Sequence, residues 1–278
     1  MKYVFLNYKF CKAQNAAISI NDRGFRFGDG VFETIKISNY QARDLKLHIN
    51  RLAAGLDSLK IKFDLSIITL KAQELIKKNH QENGILRIII TRGSGSRGYL
   101  PNANIKPNLL IETVDIPEME LDNLKLIISN YQKPSLKALP VHYKLLQGLN
   151  STLVKLAAKE LGFTDGILTD DKNHIVETSS ANIFLLKKGK IYTPSQDLPI
   201  LNGVVRSKII NEFSVSEKKI KLKELKKFDL IFITNIAIEA VKVLNISDKK
   251  NSKLIWQSKE NAKSLVQYLA IKQFLATA

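Results

Sequence analysis

The chain has one cysteine, one tryptophan and two methionines in 278 residues. Cys11 alone cannot close an internal disulfide, and four scattered histidines (His48, His80, His142, His174) offer no metal-ligand spacing. No apolar run, including the one ending at Ile90, approaches the roughly 20 residues that a bilayer span needs. The start, Met1-Lys2-Tyr3-Val4-Phe5-Leu6-Asn7, turns polar too early for a signal-peptide core. These absences exclude membrane, disulfide-scaffold and zinc-finger classes and set the expectation of a cytoplasmic protein without a metal. At 45% hydrophobic and 25% charged residues, the chain has a globular balance, and its length suits one large or two ordinary domains.

Acidic residues are in short supply. Lysine and arginine number 43 against 26 aspartate and glutamate, a net charge of +17. The basic residues are spread as pairs, such as Lys77-Lys78, Lys187-Lys188 and Lys226-Lys227, with no long block interleaved with aromatics. That pattern reads as a lysine-rich solvated surface and not a nucleic-acid patch, and its field favours small anionic substrates.

Periodicity orders the chain. Tyr3 to Phe10 reads as a short strand, and Val31 to Ile37 alternates as a strand after a glycine-bearing turn. Leu45, Ile49, Leu52, Leu56 and Leu59 recur at helical spacing, and a second helix is expected over Ser66 to Asn79. Branched residues make Ile85 to Thr91 and Asn108 to Val114 strands. The stretch Ile116-Pro117-Glu118-Met119-Glu120 marks a boundary. Beyond it a strand (Leu124 to Ser129), a helix ending near Gly162 and a hairpin pair (Gly166 to Thr169, His174 to Leu186) are expected. A helix after Gly203, a strand at Leu230 to Thr234 and a closing helix from Asn261 complete the reading. The expectation is an α+β chain in two domains: 1–116, a linker at 117–123, and a larger 124–278.

Gly93-Ser94-Gly95-Ser96-Arg97-Gly98 fits the G-x-G-x-x-G pattern and follows a strand. A dinucleotide site also needs a helix opening at that loop. The sequence that follows, Tyr99-Leu100-Pro101-Asn102-Ala103-Asn104-Ile105-Lys106-Pro107, cannot be that helix. A strand–loop–strand crossing is expected instead.

Another set of segments coheres. Asp22-Arg23-Gly24-Phe25-Arg26-Phe27-Gly28-Asp29-Gly30-Val31-Phe32-Glu33-Thr34 runs from a loop into a strand, with Arg51 on the next helix after His48. Lys144 sits in a connection just before a helix. Glu177-Thr178-Ser179-Ser180-Ala181-Asn182-Ile183-Phe184 lies in a strand, and Leu201-Asn202-Gly203-Val204-Val205-Arg206 opens a helix. In this order the segments resemble the class IV aminotransferases, the fold-type IV pyridoxal-phosphate enzymes, from Asp22 to about Val243.

The resemblance implies a cofactor, pyridoxal 5'-phosphate, in a cleft between two domains. Lys144 would be the Schiff-base lysine, an amine that must be partly desolvated to lose its proton. Glu177 would keep the pyridine nitrogen protonated, with Ser180 among the short hydroxyls around the ring and Leu201 packing under it. Gly203, Val204 and Val205 at a helix start, the forked guanidinium of Arg51 and the hydroxyl of Thr234 would hold the phosphate.

The substrate side would comprise Phe32 and Thr34, which point the same way from a strand, with Arg97, Tyr99 and Asn235. The loop Arg92-Gly93-Ser94-Gly95-Ser96-Arg97-Gly98-Tyr99 resembles the Arg-Gly-Ser-Gly-Gly-Arg-Gly-Tyr loop of the 4-amino-4-deoxychorismate lyases. In these relatives the loop crosses to a neighbouring subunit, which implies a homodimer. The implied activity is release of 4-aminobenzoate and pyruvate, a step of folate biosynthesis, with Arg97 and Tyr99 on substrate carboxylate and Thr34 helping Lys144 steer the proton. Gln147 stands where relatives carry asparagine, Ser96 replaces a loop glycine, and Glu239 and Lys242 interrupt a stretch that is apolar in the lyases. Transamination of D- or branched-chain amino acids stays open, as does a non-catalytic or nucleic-acid-binding protein on the same fold.

Overall fold

The computed structural model describes residues 2–95, 97–116, 124–248, 253–259 and 261–277. The expected linker 117–123 and the loop residue Ser96 lie outside the described residues. By Cα proximity the chain divides into two compact units, Met1–Glu118 with Tyr143–Gly148, and Met119–His142 with Leu149–Ala278. The strip that carries Lys144, expected with the C-terminal domain, thus goes with the first unit. The reason is backbone pairing: Phe32 N–H donates to the Lys144 carbonyl at 2.9 Å and Leu146 N–H to the Gly30 carbonyl at 3.0 Å.

In the first unit six strands form one antiparallel sheet: β1 (Tyr3–Leu6), β2 (Lys9–Lys12), β3 (Gly30–Ser38), β4 (Gln41–Ala42), β5 (Gly84–Thr91) and β6 (Asn108–Val114). Their spatial order is β2-β1-β6-β5-β3-β4. The single strand expected to reach Phe10 is a hairpin, because Asn7 and Tyr8 both take positive φ (44° and 72°), the conformation a two-residue turn requires. Helix α1 (Arg23–Phe27) stands where a loop was expected. Asp22 caps it by accepting from Phe25 N–H at 3.1 Å, and Gly28 ends it at φ 66°. Helices α2 (Leu45–Ser58) and α3 (Ser66–Lys78) pack Leu52, Leu56, Ile68 and Leu75 against Val31, Ile35 and Ile37 of β3. Each such fully buried side chain contributes about 1.5–3 kcal/mol. Strands β5 and β6 pair directly, with no helix between them among the described residues, as expected from the loop sequence.

The second unit contains helices α4 (Leu149–Glu160), α5 (Val204–Glu212) and α6 (Ala262–Thr277). Its strands are β7 (Leu124–Gln132), β8 (Asp165–Thr169), β9 (Ile175–Thr178), β10 (Asn182–Lys187), β11 (Lys190–Pro194), β12 (Val215–Lys218), β13 (Leu230–Asn235), β14 (Glu239–Asp248) and β15 (Leu254–Gln257). The order runs β12-β11-β10-β13-β14-β7-β8-β9, and β9 pairs back onto β10 through Glu177 and Asn182, closing six strands into a ring. The run expected as one strand from His174 to Leu186 is thus two. Thr178 turns the chain between them, its N–H donating to the Ala181 carbonyl and its Oγ1 accepting from Ala181 N–H. Strands β11, β12, β14 and β15 had no sequence expectation. In β14 the half-buried Glu239 and Lys242 break up the apolar pattern by which it could have been read. Among the described residues no helix is long and apolar enough to cross a membrane.

Candidate active site

In the second unit, register builds a polar row. Glu177 of β9 pairs with Asn182 of β10, which pairs with Thr234 of β13. Directly paired residues share a face, so three strands bring together two side chains from one sequence segment and a third from over fifty residues away. All three are buried. Glu177 Oε1 meets Lys133 Nζ at 2.5 Å, while Oε2 accepts from Leu201 N–H at 2.9 Å and Asn182 Nδ2 at 3.3 Å. Asn182 Nδ2 also donates to the Leu201 carbonyl at 2.9 Å. Leu201 is therefore held by both its peptide groups, one residue before the turn into α5.

Helix α5 starts at Val204 with Gly203 as its N-cap, so no capping side chain answers its first-turn N–H groups. A Cβ at Gly203 would stand 2.0 Å from Asn182 Oδ1, which restricts the position to glycine. Thr234 lies on the same face of β13 as Phe232, and Phe232 packs in one cluster with Val205 and Ile209 of α5. Its Oγ1 is buried without a hydrogen-bond partner among the described residues, an unanswered group that a buried phosphate would satisfy.

Two expected residues of this unit are engaged otherwise. Asn235 spends its side chain on the chain itself: Oδ1 accepts from Ala237 and Ile238 N–H at 2.9 and 3.0 Å, and Nδ2 donates to the Ser180 carbonyl at 3.2 Å. Ser180 is exposed on the β9–β10 turn, outside the buried row.

In the first unit, Lys144 is half-buried in a strip laid along the start of β3, and its Nζ stands 3.8 Å over the centre of the Phe32 ring. Phe32 and Thr34 both lie on the half-buried face of β3, as alternation requires, and Val31, Glu33, Ile35 and Ile37 face the core. Gln147 packs over the backbone of Gly28, where a Cβ would meet its Cγ at 2.7 Å.

Glu33 is thus a charge on the core face of β3, and α2 answers it. Arg51 Nε and Nη2 donate to its two oxygens at 2.7 and 2.6 Å, and His48 Nδ1 lies 2.7 Å from Oε2. Burial pushes the Glu33 carboxyl up, but its bonds to Arg51 and His48 outweigh that and hold it below the usual carboxylate range. The fork of Arg51, expected on a phosphate, engages Glu33, which fixes the plane of the guanidinium. Neither Glu33 nor His48 had been assigned a role from sequence. An acidic residue in an otherwise apolar alternation, with His and Arg three apart on the following helix, was the available signal.

Arg97 and Tyr99 stand exposed on the β5–β6 loop, Tyr99 at 86%. The Tyr99 ring touches that of Phe27, with centroids 5.5 Å apart.

Within the second unit, a buried carboxylate, an unanswered buried hydroxyl and a glycine-capped helix N-terminus fit a cofactor with a ring nitrogen and a phosphate. Fold and donor set define a fold-type IV pyridoxal-phosphate enzyme. Residues 30–246 match the model of the class IV aminotransferases, and the chain belongs to that family of pyridoxal-phosphate enzymes. It is 32% identical over 254 residues to a putative branched-chain-amino-acid aminotransferase of Methanocaldococcus jannaschii, covering 88% of each chain. It is likewise 32% identical over 255 residues to a D-alanine aminotransferase of Bacillus licheniformis, again covering 88% of each. The solved 4-amino-4-deoxychorismate lyase of Pseudomonas aeruginosa shares its fold, with a TM-score of 0.82 over 99% of this chain and 98% of that one at 22% identity.

Proposed function

We propose that this enzyme is a lyase that converts 4-amino-4-deoxychorismate to 4-aminobenzoate and pyruvate, acting as a cytoplasmic homodimer. The observation that carries the reading is the loop 92–99, an Arg-Gly-Ser-Gly stretch ending in Arg97 and Tyr99, like the loop of the lyases. An arginine and a phenol together suit a substrate with two carboxylates. Exposure of Phe25 (77%), Tyr99 (86%) and Leu100 (85%) near this loop supports a second subunit covering it.

Pyridoxal phosphate supplies an electrophilic carbon for the substrate amine and a ring that accepts electron density. Lys144 would hold the cofactor until the substrate amine takes its place, and its freed amine would then take the proton from the substrate carbon that bears the nitrogen. Glu177, aimed by Lys133 and Asn182, holds a proton on the pyridine nitrogen. The first N–H groups of α5 and Thr234 Oγ1 would hold the phosphate, with Leu201 under the ring, and Arg51, whose fork is spent on Glu33, would add only its positive charge. Phe32 and Thr34 line the substrate side, and Thr34 orients the proton transfer by Lys144. Arg97 and Tyr99 bind carboxylate. Asn235 shapes the turn beside Ser180, and its effect on substrate is through that turn. The substrate ring would become aromatic as the enolpyruvyl group departs, and the proton taken by Lys144 would end on that three-carbon group to give pyruvate, so the products account for every atom of the substrate.

Transamination is the second reading, favoured by the two relatives at 32% identity, both named as aminotransferases. Product analysis separates the two. A lyase releases 4-aminobenzoate and pyruvate in equal amounts with no keto-acid acceptor present. Turnover of D-alanine or branched-chain amino acids that requires such an acceptor, with no 4-aminobenzoate formed, would overturn the lyase reading.

A further inference from the structure

Arg23 is a buried arginine with no part in the cofactor set, and it grips the substrate loop at both ends. Its backbone N–H donates to the Gly93 carbonyl at 2.9 Å. Its side chain donates from Nη1 to the Gly98 carbonyl at 2.8 Å and from Nη2 to the Tyr99 carbonyl at 2.6 Å. The third edge, Nε, donates to Asp29 Oδ2 at 2.9 Å. Arg97 therefore lies between two anchor points that one residue provides.

The clamp is itself braced. Asp29 Oδ2 also accepts from Arg92 Nε at 2.7 Å, and Arg92 Nη2 donates on to the Leu59 carbonyl at 2.7 Å. Burial pushes the Asp29 carboxyl up, but the two arginines outweigh that and hold it below its usual range, so it stays charged to aim Arg23. The guanidinium lies 4.9 Å from the centre of the Phe27 ring, against which Tyr99 also packs. Next door, Asp22 accepts from Thr91 Oγ1 at 2.6 Å and from Asn108 Nδ2 at 2.7 Å, which fixes the peptide preceding Arg23 to both strands that bound the loop. A buried guanidinium that donates to two consecutive carbonyls sets loop geometry, since a lysine ammonium cannot reproduce the planar fork.

We propose that Arg23 is the positioning residue of the 92–99 loop, setting where Arg97 and Tyr99 stand and so how the enzyme holds a substrate carboxylate. The clause on substrate rests on the reading of that loop given above; the clamp does not.

The test uses the holoenzyme with Arg23→Lys, Arg97→Ala and the double variant, with the cofactor absorption band reporting an intact site. Arg23→Lys is expected to raise KM about tenfold with kcat changed less than about threefold, the scale of one or two lost hydrogen bonds. In the Arg97→Ala background the same change is expected to add less than about twofold, because the two act as a unit. Trypsin cleavage after Arg97, identified by a new N-terminus at Gly98, is expected to quicken in Arg23→Lys. Asp29→Asn, which leaves the loop contacts of Arg23 in place but removes their brace, gives the same pattern more weakly and serves if Arg23→Lys does not fold. Unchanged KM and unchanged cleavage would overturn the proposal, as would KM effects that multiply in the double variant. Faster cleavage with Arg97→Ala itself silent in KM would uphold the clamp and sink the substrate reading of the loop.

Discussion

Lys133 Nζ stands 2.5 Å from Glu177 Oε1, a bond across 44 positions of sequence that joins the end of β7 to β9. Both side chains are largely buried. Lys133 balances the charge of the carboxylate assigned to the pyridine nitrogen and leaves its second oxygen to Leu201 and Asn182. Lys133→Met strands that charge, at a cost of about 3 kcal/mol in stability. Cofactor affinity, read by titrating the absorption band, is expected to fall at least about tenfold, with Lys133→Arg restoring most of it. Unaltered affinity in Lys133→Met would separate Glu177 from the cofactor.

Thr234→Val is expected to act with opposite signs in the two states. Thr234 Oγ1 is buried and unanswered within the chain, so replacing it by a methyl removes a desolvated hydroxyl and leaves the apoprotein as stable or up to about 1 kcal/mol more so. With cofactor bound the hydroxyl gains its phosphate partner, and the variant loses roughly tenfold in cofactor affinity. Thermal melts of both forms check this. Destabilised apoprotein with full affinity would contradict it.

Glu33 gives the acid limb a definite direction. Burial raises its carboxyl, the bonds to Arg51 and then His48 together lower it by more, and the net value lies below the ordinary 4.5. A group depressed in the folded state contributes stability that is complete above about 4.5 and is lost as pH falls through the folded value. Glu33→Gln is therefore expected to be less stable than the parent chain by about 3 kcal/mol near neutral pH, with the gap narrowing in acid. Denaturant melts across pH measure the gap. A gap that widens below 4.5 would contradict the assignment.

The segments that carried the family resemblance were legible because each is contiguous. Lys144 precedes a helix, Glu177 leads the run to Phe184, and Gly203 caps α5, all within a few residues of their structural markers. Lys133 was not, since its partner is supplied by the order β7-β8-β9, which no local pattern encodes. Asn182 was read as part of a motif and not as the middle of a row, because the row exists only once β9 closes onto β10 and β13 lies on its other side. Glu33 sits in an alternation that fits a strand, yet the face it takes depends on where α2 lies. The same dependence moved the Lys144 strip to the first unit, where its backbone extends the pairing of β3, though chain order put it with the residues that follow.

The tether itself admits a direct measurement. Protein incubated with pyridoxal phosphate, reduced with borohydride and digested should yield a single modified peptide, with the cofactor's mass fixed on Lys144. The same treatment of Lys144→Ala should yield none. A chain with 35 lysines gives nonspecific labelling every opportunity, so the location is what decides. Modification at another lysine, or none in the parent chain, would contradict the account at its root.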